Sequence, residues 1–362
     1  MLSLRLIGMY KFLAIGSNHM FGVVITIAAL LTAFGGRAGA AETLPMTHAL
    51  ETPYAVPEID GIAGWINSKP LRLADWRGKV VLVDFWTYSC INCLRTLPYI
   101  TGWYNKYHTQ GLEIIGIHAP EFAFEKKSEN VQKAVQRFGI HYPVALDNEL
   151  TTWANFKNQY WPAHYLIDRQ GRVVYTHFGE GQYDVTENNI RALLGMAEKV
   201  AVPVVLTSEP QSFAPSPTHE TYLGYRRAEN FSNSGEAKMD VPGTYMFPEA
   251  LPLHRWALSG SWHIGAESIR AAAPGAALRL HFAARKVFLV LGSTTGSAVM
   301  ARILLNGKPL ANMEGVDGRD GMLTVDHDKL YTLLDQGMAQ EGVLEIQAMT
   351  PGLQAYAFTF GN

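Results

Sequence analysis

Cys90 and Cys93 are the only cysteines among 362 residues, and they stand three positions apart. Two thiols at that spacing in the first turn of a helix lie on one side of it, close enough to close and reopen a disulfide. A thiolate placed there is stabilised by unpaired backbone N–H groups and by the helix dipole, which makes it a better nucleophile at neutral pH. Cys90, at the exposed start, is the expected attacking sulfur. Cys93, further into the first turn, is expected to resolve the mixed disulfide. The same spacing supplies half of many zinc sites, but zinc takes about four N or S ligands. No further cysteine exists and no histidine pair at ligand spacing accompanies these two, so neither metal nor cofactor is assigned. A structural disulfide is the other reading; so short a loop would constrain the unfolded chain little.

Such a pair needs a strand-to-helix junction. Val80–Trp86 (VVLVDFW) is a nearly continuous β-branched and aromatic run, the pattern of a strand buried on both faces. From the cysteines onward, Ile91, Leu94, Leu97, Ile100, Trp103, Tyr104 and Tyr107 recur at helical spacing. Further strands are predicted over 71–76, 112–118 and 142–146, with a hairpin of 163–168 and 172–178. Helices are predicted over 130–138, from about 151, and over 185–200. This alternation predicts an α/β domain over 41–200. Residues 201–217, rich in Pro and Ser, read as a linker. Beyond it, 218–362 predicts an all-β sandwich or jelly roll, with strands over 278–282, 287–291, 299–305, 343–348 and 355–360 and a hairpin at Asn306-Gly307.

Composition agrees with two folded domains, since 48% of residues are hydrophobic and the length exceeds one ordinary core. The net charge of −2 argues against a nucleic-acid partner. Residues 1–40 read as a signal peptide: Arg5 and Lys11 precede a 14-residue apolar run (21–34), and Ala38-Gly39-Ala40 supplies a cleavage site. Removing this segment, with Arg5, Lys11, Arg37 and no acids, would take the net charge from −2 to −5. An uncleaved membrane anchor is the alternative. Either way the expected location is extracytoplasmic, periplasmic or secreted. Two lone cysteines in an exported chain point to redox chemistry rather than a disulfide framework.

DFWTYSCINC resembles the strand-to-active-site segment of the thioredoxin superfamily, and the stretch from 111 to 156 resembles its TlpA-like branch. WTYSCINC, HAPEFAFE, YPVALDN and YWPA are similar to the periplasmic redoxin region of DipZ-type proteins, and ETYLGY, LPLHRWALSG and AYAFTFG extend the likeness past the linker. The resemblance implies a thiol–disulfide oxidoreductase with a thioredoxin-like fold and a β-sandwich resembling a carbohydrate-binding module. It places a buried carboxylate at Asp84, to accept or relay the proton of Cys93, and a helix kink at Pro98. It also implies a cis-proline at Pro162, with the Trp161 backbone binding the partner chain. Trp86, Tyr88 and Trp161 are expected to wall the site. The CcdA-like membrane domain of DipZ-type proteins is not part of this sequence, so a separate membrane donor of CcdA/DsbD type is implied. TlpA and ResA relatives often hold a glutamate three residues after the second cysteine; here that residue is Thr96.

The uncharged Ile91-Asn92 dipeptide leans towards a reductase acting on disulfides of exported proteins, with an oxidase or isomerase as the alternative. Glu121 and Glu125 read as solvated loop acids, and His118, His141 and His164 as core or surface histidines. In the second domain, Tyr222, Tyr225, Trp256 and Trp262 are candidates for an aromatic platform that binds a glycan. That would make the chain mainly a binding protein; core packing is the competing reading. Asp317, Asp320, Asp326 and Asp328 suit calcium by chemistry, but fit no EF-hand spacing and read as an acidic loop.

Overall fold

The computed structural model describes residues 45–196 and 216–361 except Glu314. The predicted signal peptide (1–40) and nearly all of the predicted linker (201–217) lie outside the described residues. Thr43–Asn362 form one compact unit.

Its first half contains β1 (Tyr54–Ala55), β2 (Gly64–Ile66), β3 (Val80–Trp86), α1 (Ile91–Tyr107), β4 (Leu112–His118), α2 (Ser128–Arg137), β5 (Val144–Leu146), α3 (Thr151–Asn155), β6 (Ala163–Ile167), β7 (Arg172–Phe178) and α4 (Tyr183–Leu194). The strands make a seven-stranded sheet in the order β1-β7-β6-β3-β4-β5-β2. β3, β4 and β5 are parallel, while β6 and β7 continue antiparallel from β3. β3 is buried along its whole length because both faces are covered. Val80, Leu82 and Trp86 pack with Leu97, Ile100 and Trp103 of α1, whereas Val81, Val83 and Phe85 pack on the other face with Phe156. By the two-residue alternation of a strand, Asp84 faces α1 and the cysteines.

Residues 71–76 were predicted as a strand, but Leu73–Trp76 form a 3-10 turn. Only Leu73 is buried there, and one apolar anchor in four suits a single turn rather than a strand face. α4 stops at Leu194 rather than 200, because Gly195 takes the left-handed conformation (φ 80°) that closes a helix.

The second half is all β: β8 (Thr221–Tyr222), β9 (Pro242–Tyr245), β10 (Trp256–Ile264), β11 (Ile269–Ala271), β12 (Ala277–Ser293), β13 (Val299–Leu305), β14 (Lys308–Pro309), β15 (Met322–Val325), β16 (Lys329–Ala348) and β17 (Leu353–Gly361). They form a ten-stranded sheet. β12 pairs with β10 near its start and with β17 near its end, while β16 follows it along most of its length. The sheet thereby folds back around one core that includes Trp256, Trp262 and Phe282. The predicted strands 278–282 and 287–291 are one strand, with register shifts between Ala284 and Lys286 and between Val287 and Phe288. Asn306 and Gly307, both at positive φ (52° and 75°), make the predicted tight turn into β14.

The two halves share apolar packing. Val290, Tyr356 and Ala357 of the β half belong to the same cluster as Trp86, Tyr88, Phe122 and Phe124. The Tyr356 ring lies 4.8 Å from that of Phe124 and 5.1 Å from that of Phe122.

Candidate functional site

Cys90 caps the N-terminus of α1 in an extended conformation (φ −81°, ψ 117°), and its carbonyl accepts the first helical bond from the Leu94 N–H. The sequence folds this way because β3 ends at Trp86 and Thr87-Tyr88-Ser89 turns the chain directly into the helix. Pro98 lies inside α1 and leaves the fold of the first turn intact. Both cysteines are free thiols. Cys90 is half-buried and borders a cleft of about 710 Å³, whereas Cys93 is buried at 1% exposure. Burial pushes the Cys93 thiol well up, reinforced by its hydrogen bond to Cys90 and by the charges of Cys90 and Asp84; a hydrogen bond from the Thr87 backbone works in the opposite direction. The inner sulfur is therefore held as a thiol that donates to the outer one.

The cleft lies between the two halves. Trp161, Glu121, Glu180 and Tyr183 border it from the redox side; Thr218, His219, Glu220 and Tyr222 border it from the β side. The Trp161–Pro162 bond is cis. Pro162 is buried with its carbonyl taken by the Gly179 N–H (2.8 Å), and the Trp161 indole N–H donates to the Ala119 carbonyl (3.0 Å). Thr96 is buried; its hydroxyl donates to the Asn92 carbonyl (2.9 Å) and lies 3.2 Å from the Tyr183 hydroxyl.

Trp86 and Tyr88 require correction. They are 0% and 2% exposed and do not border the cleft. Trp86 belongs to the strand interior, and Tyr88 turns inward to stack on His118 (5.6 Å, 19°). They pack in the same core cluster as Cys93 and leave Trp161 as the one of the three predicted aromatics that walls the cleft.

Asp84 is 1% exposed, and a histidine on the neighbouring strand lies beside it: His164 Nε2 is 3.3 Å from Asp84 Oδ1. That is ion-pair range without the alignment of a hydrogen bond, since neither carboxylate oxygen of Asp84 has a hydrogen-bond partner. On its other flank, β4 presents Gly116. A methyl group at Gly116 would stand 2.9 Å from Trp86 Nε1 and 3.2 Å from Tyr142, so glycine leaves room for both rings.

Glu125 is the functional candidate that the sequence reading undervalued. It is fully buried, not solvated, and it joins two loops: its carboxylate accepts from Ser89 Oγ (2.6 Å), the Glu121 N–H (2.6 Å) and the Phe122 N–H (3.0 Å). Burial pushes its carboxyl up to about 7 against those hydrogen bonds. The spacing in HAPEFAFE gave no sign of this, because a 3-10 turn at Ala123–Lys126 swings Glu125 inward. Glu121 instead meets the β half, accepting from Tyr222 Oη (2.7 Å) and Arg227 (2.9 Å). His118 is buried and held neutral, its imidazole pushed down to about 3, and His141 is exposed.

The four aromatics proposed as a glycan platform do not make one. Trp256 and Trp262 are 0% exposed within the β core, and Tyr222 is engaged with Glu121. The Tyr225 hydroxyl donates to Asp240 (3.0 Å). Of the four acids weighed for calcium, Asp317 pairs with Lys329, Asp320 contacts Asn312, and Asp326 pairs with His327. Among the described residues no group of three or more His, Cys, Asp or Glu converges as a cation site.

Comparison with known proteins covers both halves. Residues 65–194 match the Redoxin family and residues 218–361 match the family described as thioredoxin like C-terminal domain. The chain is 38% identical over 320 residues to protein DipZ of Mycobacterium tuberculosis, covering 86% of this chain and 44% of DipZ. The chain thus spans less than half the length of that relative. It is 32% identical over 114 residues to thiol-disulfide oxidoreductase ResA of Geobacillus thermodenitrificans, covering 32% of this chain and 63% of ResA. Among solved structures, a thiol-disulfide isomerase from Corynebacterium glutamicum aligns at 25% identity over 38% of this chain and 96% of its own, with a TM-score of 0.35.

Proposed function

We propose that this chain, one of the thioredoxin-like redoxins that join a redox domain to a thioredoxin-like C-terminal domain, reduces disulfides of exported proteins through a cycle of Cys90 and Cys93. One observation carries the reading: a half-buried Cys90 at a helix N-terminus opens into a cleft directly above a buried Cys93 thiol. The Cys90 thiolate attacks a partner sulfur, forms a mixed disulfide and expels the first partner thiolate. Cys93 then loses its proton, attacks the Cys90 sulfur and releases the second partner thiolate, leaving Cys90–Cys93 oxidised. Asp84, buried on the face of β3 turned to α1, is the base for that proton. Trp161, beside the cis peptide bond and on the cleft wall, presents its backbone to the partner chain. The β half, which walls the same cleft, selects what enters.

The basic, apolar and small-residue pattern of residues 1–40 supports export. No helix among the described residues is long and apolar enough to cross a membrane. Each turnover consumes two electrons, which a membrane donor of CcdA/DsbD type would supply.

Trapping tests the reading. Cys93→Ser is expected to accumulate mixed disulfides with other exported proteins, released by dithiothreitol and absent from Cys90→Ser. If nothing is trapped and the wild-type chain fails to reduce a model disulfide, the proposal fails.

A further inference from the structure

Three residues on adjacent strands stand in one row behind the cysteines. Asp84 on β3 pairs in register with His164 on β6, and His164 pairs with His177 on β7. His164 Nε2 lies 3.3 Å from Asp84 Oδ1, and the His164 and His177 rings lie near-parallel (25°) with centroids 5.9 Å apart. Asp84 and His164 are at most 1% exposed, while His177 is half-buried. Three and four residues beyond His177, Glu180 and Gly181 border the Cys90 cleft. The row thus starts on the face of β3 turned to the cysteines and runs toward the segment that borders the cleft.

The polar atoms along it are unusual. Both Asp84 oxygens, both His164 ring nitrogens and His177 Nε2 are buried without a hydrogen-bond partner. Buried polar groups are nearly always paired, and an unpaired one costs about 1–3 kcal/mol. A stretch of unpaired donors and acceptors leading away from a thiol that must deprotonate suits transfer better than stability.

We propose that Asp84, His164 and His177 form a proton relay that carries the proton of Cys93 to the cleft, His164 and His177 acting as positioning and relay residues rather than touching substrate. This rests on the dithiol cycle proposed above. As the Cys93–Cys90 bond forms and the bond from Cys90 to the partner breaks, the Cys93 proton goes to Asp84. It passes to His164, then to His177, and leaves where the partner thiolate departs and needs a proton. No external oxidant or reductant enters the step. The titratable groups facing Asp84 are Cys93 from α1, His164 from β6 and Tyr142, whose hydroxyl is pushed further up by the Asp84 charge. Burial lowers the His177 imidazole, with His164 adding to the effect.

An aromatic disulfide whose halves absorb on release separates the steps. The first half reports attack by Cys90, and the second reports resolution by Cys93. His164→Asn is expected to slow the second phase about tenfold at pH 7 and His177→Asn several-fold, with the first phase within about twofold of wild type. Added imidazole is expected to restore the second phase in both, which a merely structural role would not permit. If the second phase is unchanged in both variants, or if both phases slow together without imidazole rescue, the relay is wrong. Should His164→Asn not fold, His177→Asn at the half-buried end decides by the same criteria. Release of neither half by the wild-type chain would instead refute the dithiol cycle itself.

Discussion

Glu125 ties the loop that delivers Cys90 to the loop that meets the β half, and it does so as a buried acid at about 7. An unfolded glutamate titrates near 4.5, so as pH rises from there the unfolded chain loses its proton first. Folding stability contributed by this site is full below about pH 4.5, falls until about pH 7 and then levels, a total near 3 kcal/mol. Glu125→Gln lacks the titration. Urea unfolding from pH 4 to 8 is therefore expected to show wild type losing stability relative to the variant across that window; parallel curves would refute it. The carboxylate pair in HAPEFAFE thus divides its work, with Glu125 turned inward and Glu121 given to Tyr222 and Arg227.

At the scale of elements, the site depends on β3 and its two neighbours. β3 ends at the cysteine turn, β6 brings His164 to Asp84, and β4 contributes a residue that must be small. Gly116→Ala is expected to push Trp86 and Tyr142 apart from their present packing and to destabilise the fold by about 1–3 kcal/mol. A measured change below about 0.5 kcal/mol would mean that the rings yield freely. Because Gly116 pairs with Asp84 and Tyr142 feels the Asp84 charge, the same variant is expected to slow resolution by Cys93 more than attack by Cys90.

Across the whole molecule, the seam between the halves sets the shape of the cleft. Tyr356 is 5% exposed and packs against Phe122 and Phe124, and Ala123 N–H donates to Glu267 (3.0 Å). Tyr356→Ala is expected to cost about 3 kcal/mol by cavity formation. It should also speed alkylation of Cys90 by a bulky maleimide, since the β wall is then less firmly held. Unchanged alkylation together with an unchanged melting temperature would show that the seam does not restrict the cleft.

Local pattern was enough for the cysteine pair and its strand–helix junction, because an unbroken apolar strand and helical spacing are properties of neighbouring residues. The same held for the cis Trp161–Pro162 bond, where a short motif resembling thioredoxins carried the expectation, and for the all-β character of the second half, written in alternation and turn residues. Contacts made at long range were decided elsewhere. Asp84 meets His164 eighty positions away only because β6 lies antiparallel to β3 in one register. Trp86, Tyr88, Trp256 and Trp262 look alike in sequence whether they line a site or fill a core, and only the layers packed over them buried all four. Glu125 shares its loop with Glu121, yet a single 3-10 turn gave one to the interior and the other to the cleft. The spacing of Cys90 and Cys93 was legible as that of a redox pair; the cleft beside Cys90, and the row of side chains behind the two thiols, exist only in the folded chain.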